Sequence, residues 1–395
     1  MIKVFANKNP AGNLVYNSKD KEFIFNYTHN NPISLTMPYS LKSYVSNYHL
    51  HPIFDMNMPE GYLFELLKNL LIKEYGKIDD YILFSHLSKN IESFLTYQEN
   101  LSKNSSYNLD DLINNTQDDI FSNLVKQFLQ NSAISGVQPK VLVPIFDKAT
   151  LNTKEYIVKS FSSEFPHLAE NEYFSMNALK KAGIKTPKFW LSKNKKLFIM
   201  EKFTYQKESN SFYGFEEFCV LFGFNKEKKY NGSYEQIAKA IAKISTQKAK
   251  DLKEFYKMIV MNFLLKNGDA HLKNFGILYS ADKSKRFLAP AYDVINTIIY
   301  MPKDKPALNL NGKKLWFGKK ELIEFGIKYA LLSQNEANTI LEHSKEAILE
   351  TIKDIKEYIN QNQEFKEFGE KFIKILDFSI SNIDSSYKDL SNAIL

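Results

Sequence analysis

An α+β fold of two lobes is predicted for this chain, a small sheet-rich lobe first and a helical lobe second, with a small extra module in front. Three observations predict it. Short apolar runs split by turn residues occupy residues 1 to 30. A second set of strand-length apolar runs lies between residues 141 and 200. From about residue 205 onward, apolar residues recur mainly at helical spacing. The expected boundaries are 1–105 for the module, 106–204 for the sheet-rich lobe and 205–395 for the helical lobe, with the Asn-, Ser- and Asp-rich stretch 99–118 as linker.

The elements follow in order. Ile2 to Phe5, Leu14 to Tyr16 and Phe23 to Phe25 read as a small antiparallel sheet, and residues 60–98 as helical. Val141 to Phe146 and Tyr156 to Lys159 read as strands. Leu168 to Ala182 reads as a helix, with Gly183 placed to end it. Phe189 to Leu191 and Leu197 to Met200 form a hairpin around Lys193-Asn194-Lys195. Ser233 and Gln236 make a capping box for a helix at 234–246. On the helix from Asp251 to Lys266, seven residues (Leu252, Phe255, Tyr256, Ile259, Val260, Phe263 and Leu264) share one face. Ser333 with Glu336 caps a long helix reaching about Asn360, and a last helix covers about 364 to 385.

Composition narrows the function classes. With 395 residues and 44% hydrophobic content the chain has ample material for a core, and its 31 Phe and 23 Tyr mark it as folded. The single cysteine, Cys219, lies in an apolar run as a core filler, so no intramolecular disulfide forms and a reducing compartment fits. Met1 to Phe5 lacks the pattern of a signal peptide, and no apolar run approaches the ~20 residues that span a bilayer, so a soluble cytoplasmic protein without membrane contact is expected. The net charge of +7 is spread over scattered lysines and demands no nucleic-acid partner. Neither a helix-turn-helix with a basic second helix nor a zinc-ligand spacing is present.

The chemistry is concentrated where the Asp251 helix ends. There Asn267-Gly268-Asp269-Ala270-His271-Leu272-Lys273-Asn274 sets an Asp and an Asn at the spacing of a protein-kinase catalytic loop, D-x-x-x-x-N. A second carboxylate follows in Ala289-Pro290-Ala291-Tyr292-Asp293, where a kinase places its other metal ligand. Phosphoryl transfer needs alignment and charge neutralisation more than covalent help. Asp269 is the expected base for the attacking hydroxyl, and Lys273 the expected cation for the transferring group. Asn274 and Asp293 are the expected ligands of Mg²⁺, a hard ion that takes few protein oxygens plus phosphates. Predicted strands Phe275 to Tyr279 and Phe287 to Ala289 form a hairpin that brings the two ligands to one end. His271 reads either as a phosphate contact or as a structural residue of the loop.

Upstream, Lys159 ends the strand Tyr156-Ile157-Val158-Lys159, like the kinase strand whose Lys meets ATP phosphates. Glu172 on the next helix is one option for its ion-pair partner. Glu201 and Phe203 lie where a kinase hinge contacts adenine, though an ordinary strand end explains them equally. Ser132 to Lys140, a stretch of small residues around Gly136, has the character of a loop that lays backbone N–H groups on phosphates. It is neither a G-x-G-x-x-G nor a Walker A sequence. The order of parts makes the fold a two-lobed, protein-kinase-like one.

Taken together these segments resemble the HipA family of bacterial toxin-antitoxin serine/threonine kinases, over nearly the whole chain. The resemblance is carried by Phe54 to Gly61, Ile134 to Lys140, Ser163 to Glu172, Met200 to Phe203, Gly268 to Asn274 and Pro290 to Val294. It implies an ATP- and Mg²⁺-dependent kinase that phosphorylates a serine on a protein, an aminoacyl-tRNA synthetase in family members, halting translation and growth. By motif position it implies Asp269 as base, Asn274 and Asp293 as metal ligands, and nucleotide contacts from Lys159, Glu201, Phe203 and His271. It further implies a DNA-binding, HipB-like antitoxin partner, with DNA reached only through that partner. One departure stands out. Many members carry Ser three residues before the position of Gly136 and autophosphorylate there, whereas this chain has Ala133, leaving Ser135 as the candidate. Two rival readings remain: a catalytically silent subunit that binds antitoxin and operator, and a small-molecule phosphotransferase.

Overall fold

The computed structural model describes residues 1–58, 68–69, 71–72, 76, 78–98, 108–114, 116, 149–160 and 165–391. The expected strand Val141 to Phe146 and the loop holding Ser135 and Gly136 lie outside them. The described chain forms two compact units: residues 1–169, 189–228 and 278–283 make the first, and residues 170–188, 229–277 and 284–395 the second.

The first unit opens with an antiparallel sheet of β1 (Ile2–Ala6), β2 (Asn9–Asn17), β3 (Glu22–Tyr27), β4 (Tyr44–Asn47) and β5 (Leu95–Tyr97), in the order β4-β3-β2-β1-β5. The β1–β2 connection is two residues, Asn7 and Lys8, both at positive φ (48° and 66°). That is the type I′ hairpin turn, whose twist suits the flanking strands. Along β1 the buried residues Ile2, Val4 and Ala6 alternate with Lys3 and Phe5, so one face is core. On that face Phe54 packs its ring against Phe25, Phe84 and Tyr97, with centroids 5.7, 5.9 and 6.1 Å away.

A second antiparallel sheet follows: β6 (Ala149–Asn152), β7 (Tyr156–Ser160), β8 (Phe189–Leu191) and β9 (Leu197–Glu201), in the order β6-β7-β9-β8. Its central strands contribute Val158, Leu197 and Ile199 to the same buried cluster as Ile2, Phe25 and Phe54. A small hairpin, β10 (Tyr205–Gln206) with β11 (Ser211–Phe212), and strand β12 (Gly214–Glu217) come next. Glu216 on β12 is fully buried and its carboxylate is surrounded by donors: Leu35 N–H (2.6 Å), Ser34 Oγ (3.0 Å) and Tyr279 Oη (2.9 Å). Burial raises its pKa, an effect those donors oppose. Cys219 is buried, its Sγ donating to the Asn225 carbonyl at 3.3 Å.

The second unit is helical. The Leu168–Lys181 helix supplies it from Glu170 onward and ends at Gly183, whose φ of +66° closes the turn. Ile184 N–H reaches the Leu179 carbonyl (3.0 Å) and Gly183 N–H the Lys180 carbonyl (3.1 Å), the Schellman pattern. Both expected capping boxes form, Ser233 with Gln236 before the Tyr234–Ile244 helix and Ser333 with Glu336 before the Gln334–Gln361 helix. The Lys248–Leu264 helix is the hub. It packs against the Tyr234–Ile244, Lys319–Tyr329 and Gln334–Gln361 helices, and its last seven residues, Met258 to Leu264, are all buried. Asp251 in its first turn accepts from Ser245 Oγ (2.6 Å), Gln247 Nε2 (2.8 Å) and Leu288 N–H (2.7 Å), fixing β14 (Arg286–Leu288) to the helix. Ahead of β14, β13 (Gly276–Tyr279) begins two residues after Asn274, and its Gly276 carbonyl accepts from Ala289 N–H (2.9 Å).

Three expectations change. Within the expected helical stretch 60–98, the described residues 68–69 and 71–72 and the segment Asp80–Leu87 are helical, whereas Leu95–Tyr97 is a strand paired to β1. Aromatic and β-branched Tyr97 and Thr96 favour that pairing. The stretch after 205 begins with β10, β11 and β12 before helices take over. The final helix is Lys366–Ser381, shorter at both ends than read, because Gln363–Phe365 form a 3₁₀ turn and Asn382 leaves the helical region. No helix among the described residues is long and apolar enough to cross a membrane.

Candidate active site

The loop after the hub helix is built on polar side chains buried at the helix end. The helix closes with a second Schellman pattern: Asn267 N–H bonds the Asn262 carbonyl (2.9 Å) and Lys266 N–H the Phe263 carbonyl (3.3 Å). The left-handed position here is taken by Lys266, at φ 56°. Asn267 Nδ2 donates to Asn262 Oδ1 (2.8 Å), and Asn267 Oδ1 accepts from Asp269 N–H (3.1 Å), so one buried amide pair aims the start of the loop. Gly268 is required by close approach: a Cβ there would sit 2.0 Å from an Asp304 carboxylate oxygen and 2.7 Å from Thr297 Oγ1. Thr297 straps the two loops together, accepting from Gly268 N–H (2.9 Å) while its own N–H and hydroxyl reach the Lys266 carbonyl, each at 3.2 Å.

Asn274 and Asp293, nineteen residues apart in sequence, meet: Asn274 Nδ2 donates to Asp293 Oδ2 at 2.9 Å. Asn274 Oδ1 accepts from His271 N–H (3.1 Å). Asp293 adopts φ 58°, a left-handed backbone that Asp tolerates better than most residues and that costs of the order of 1 kcal/mol. Its loop is held from below by Asn171, which donates to the Asn296 carbonyl (2.9 Å) and accepts from Asn296 N–H (2.8 Å). Tyr292 Oη donates to the Lys273 carbonyl (2.7 Å). The chemistry of the pair fits magnesium, since a carboxylate and a side-chain amide both carry hard oxygen ligands, although here it is the amide nitrogen that faces Asp293. For the Asn274 amide oxygen to face a cation beside Asp293 the amide would have to turn over, giving up both its Nδ2 bond to Asp293 Oδ2 and the bond its Oδ1 accepts from His271 N–H.

Asp269 is 37% exposed, and its Oδ1 lies 3.7 Å from His271 Nε2. The same Oδ1 accepts from Tyr230 Oη at 2.8 Å. His271 is buried, and burial pushes its pKa down to about 4 against the opposing pull of Asp269. At neutral pH its ring is therefore uncharged.

The remaining expected residues belong to the first unit. Lys159 is buried on β7, opposite Phe198, its Nζ 5.7 Å from that ring. Glu201 ends β9 opposite Tyr156, and Phe203 packs edge-on against Phe215 at 5.3 Å. Between them Lys202 donates to the carbonyls of Glu92 and Thr153, and burial lowers its pKa to about 8. Glu172 is buried in the second unit. Reading the sequence missed Tyr230, Thr297 and the Asn262–Asn267 and Asn171–Asn296 pairs. An asparagine in the apolar run Met258 to Leu265 was the one available signal.

A buried helix that ends in an Asp-x-x-x-x-Asn loop, with the Asn meeting an Asp of the following loop, has the layout of a kinase-type phosphotransfer site. Comparison with known proteins identifies the family. Residues 132–358 match the HipA-like C-terminal domain and residues 2–91 the HipA N-terminal domain. The chain belongs to the HipA family. Among curated relatives, “Putative kinase” of Haemophilus influenzae is 30% identical over 196 residues, 46% of this chain and 57% of the relative. “Putative kinase Y4dM” of Sinorhizobium fredii is 29% identical over 205 residues, 47% of this chain and 49% of the relative. The chain thus spans about half the length of the curated relatives it matches. The fold resembles HipA of Shewanella oneidensis MR-1, solved with HipB and its operator DNA: TM-score 0.68 at 16% identity, covering 96% of this chain and 97% of that one.

Proposed function

We propose that this chain is a serine/threonine protein kinase of HipA type. It transfers the γ-phosphoryl group of ATP to a serine hydroxyl of a protein, with an aminoacyl-tRNA synthetase as the substrate class, and so halts translation. The observation that carries the reading is the meeting of Asn274 with Asp293 at 2.9 Å beside a base candidate whose Oδ2 accepts no hydrogen bond from the described residues.

In this mechanism Asp269 Oδ2 accepts the proton of the attacking hydroxyl as its oxygen bonds to the γ-phosphorus and ADP leaves. Lys273 neutralises charge on the transferring group. Asn274 and Asp293 hold Mg²⁺, which when bound supplies charge neutralisation at the phosphates. His271 acts as a hydrogen-bonding group. Lys159, Glu201, Phe203 and the backbone around Gly136 are assigned to the nucleotide, and Ser135 to self-modification. A DNA-binding antitoxin is the assigned partner, with operator DNA reached through it.

Incubation with Mg-ATP and a bacterial lysate, read by intact mass and phosphoproteomics, tests the reading. Wild type is expected to phosphorylate protein serines, and Asp269→Asn to lower incorporation by about 10³-fold. Equal incorporation in both proteins, persistence in excess EDTA, or phosphate found only on small molecules overturns it.

A further inference from the structure

We propose that Tyr230 is a positioning residue for Asp269: its hydroxyl holds the carboxylate in the orientation that leaves Oδ2 open to the substrate. This rests on Asp269 being the base. A carboxylate on a loop swings about its last torsion, and only part of that arc points Oδ2 at an incoming hydroxyl. Tyr230 Oη, donating to Oδ1 at 2.8 Å, stops the swing. No other side chain among the described residues hydrogen-bonds to that carboxylate, since His271 Nε2 stands 3.7 Å away.

Tyr230 is itself well placed to hold an orientation. Its ring meets His271 edge-on, centroids 5.2 Å apart at 76°. Its backbone is fastened to the same loop from one side by Leu272 N–H donating to the Lys229 carbonyl (3.1 Å). From the other side Lys314 Nζ donates to the Tyr230 carbonyl (3.4 Å). Gly232 lies against Leu272 so closely that a Cβ would approach its side chain to 3.1 Å. Four residues on, buried Tyr234 donates to the Ala270 carbonyl (3.3 Å). Two tyrosine hydroxyls at and just before the start of the Tyr234–Ile244 helix thus hold the loop, Tyr234 through the Ala270 backbone carbonyl and Tyr230 through the Asp269 carboxylate. Tyr230 is 41% exposed, so deleting its hydroxyl leaves no buried gap. It stays a donor throughout; the transferred proton goes to Oδ2.

The test is a double-mutant cycle on the full chain, following ADP release from Mg-ATP with water as acceptor. Tyr230→Phe removes only the hydroxyl. It is expected to lower kcat about tenfold with KM for ATP within about twofold and an unchanged melting temperature. In an Asp269→Asn background the same change should cost nothing further. Wild-type kcat retained in Tyr230→Phe, or an undiminished tenfold loss in the Asn background, overturns the proposal. Wild type no faster than Asp269→Asn overturns the base assignment itself, a result distinct from either.

Discussion

The N-terminal sheet and the two loops at the end of the hub helix are both tightly determined, but by opposite means. In the sheet, β1 through β4 pair with near neighbours in sequence, and one apolar face is packed with aromatic rings. In the loops, order comes from polar side chains reaching far along the chain: Gly268 to Thr297, Asn274 to Asp293, Asn171 to Asn296, Tyr230 to Asp269. A packed ring stabilises by apolar burial and tolerates some slack in placement. A positioned carboxylate yields little stability and depends on angles and tenths of an ångström. Damage to the first region should show in unfolding, and damage to the second in turnover.

The largest stability effect is expected at Phe54, fully buried among Phe25, Phe84 and Tyr97. Phe54→Ala should cost about 3–4 kcal/mol through lost burial and the cavity left behind. Urea unfolding measures that loss, and kcat per folded molecule should stay at wild type. A collapse of kcat in protein shown to be folded would erase the distinction between the regions.

The same contrast explains what was legible in the sequence. The alternation in β1, the hairpin of β8 and β9, both capping boxes and the apolar face of the hub helix are local patterns, and each formed. The Asp269 to Asn274 spacing is local too, and the hairpin reading carried Asn274 to Asp293. Tyr230 was invisible because nothing in Lys229-Tyr230-Asn231-Gly232 distinguishes an aromatic that meets a carboxylate thirty-nine positions on from a surface tyrosine. Leu95–Tyr97 was lost inside a helical reading because a three-residue strand carries too few alternations to compete with its surroundings.

A smaller effect is expected from pH. His51, buried beside Phe54, has its pKa pushed down to about 4 by burial, partly offset by the Tyr44 backbone. The unfolded chain binds that proton with a pKa near 6.5, so between the two values the unfolded state holds more protons. The stability from His51 is complete above about pH 6.5 and is lost as pH falls toward 4, by about 2–3 kcal/mol. His271 adds a loss of the same sign. Replacing His51 with Phe should therefore flatten the acid limb of a urea-midpoint series from pH 7 to 4.5 without abolishing it. An acid limb of unchanged slope would show that His51 is not what titrates.

The smallest effect tests whether the loop region tolerates poor stability for the sake of its geometry. Within the second unit two helices end in the same Schellman pattern, one on Gly183 and the other on Lys266. Glycine takes the left-handed conformation freely; lysine gives up roughly 1 kcal/mol to hold it. Lys266 is also 5% exposed, its Nζ 5.3 Å from the Trp316 ring, and burial lowers its pKa to about 7. Lys266→Gly relieves both penalties, loses the packing of the lysine stem on Trp316, and leaves the unfolded chain freer, so the net gain should be about 1 kcal/mol at pH 7. The sign with pH is fixed: the folded amine gives up its proton near 7 and the unfolded one near 10.5, so the wild type gains stability as pH rises between them. The advantage of the glycine variant should shrink over that range in parallel melts. If the variant gains stability but loses turnover, the lysine stands at a position suited to glycine because the loop needs it there. If it loses stability at pH 7, the contact with Trp316 outweighs both penalties, and the loop end is held by packing in the same way as the sheet.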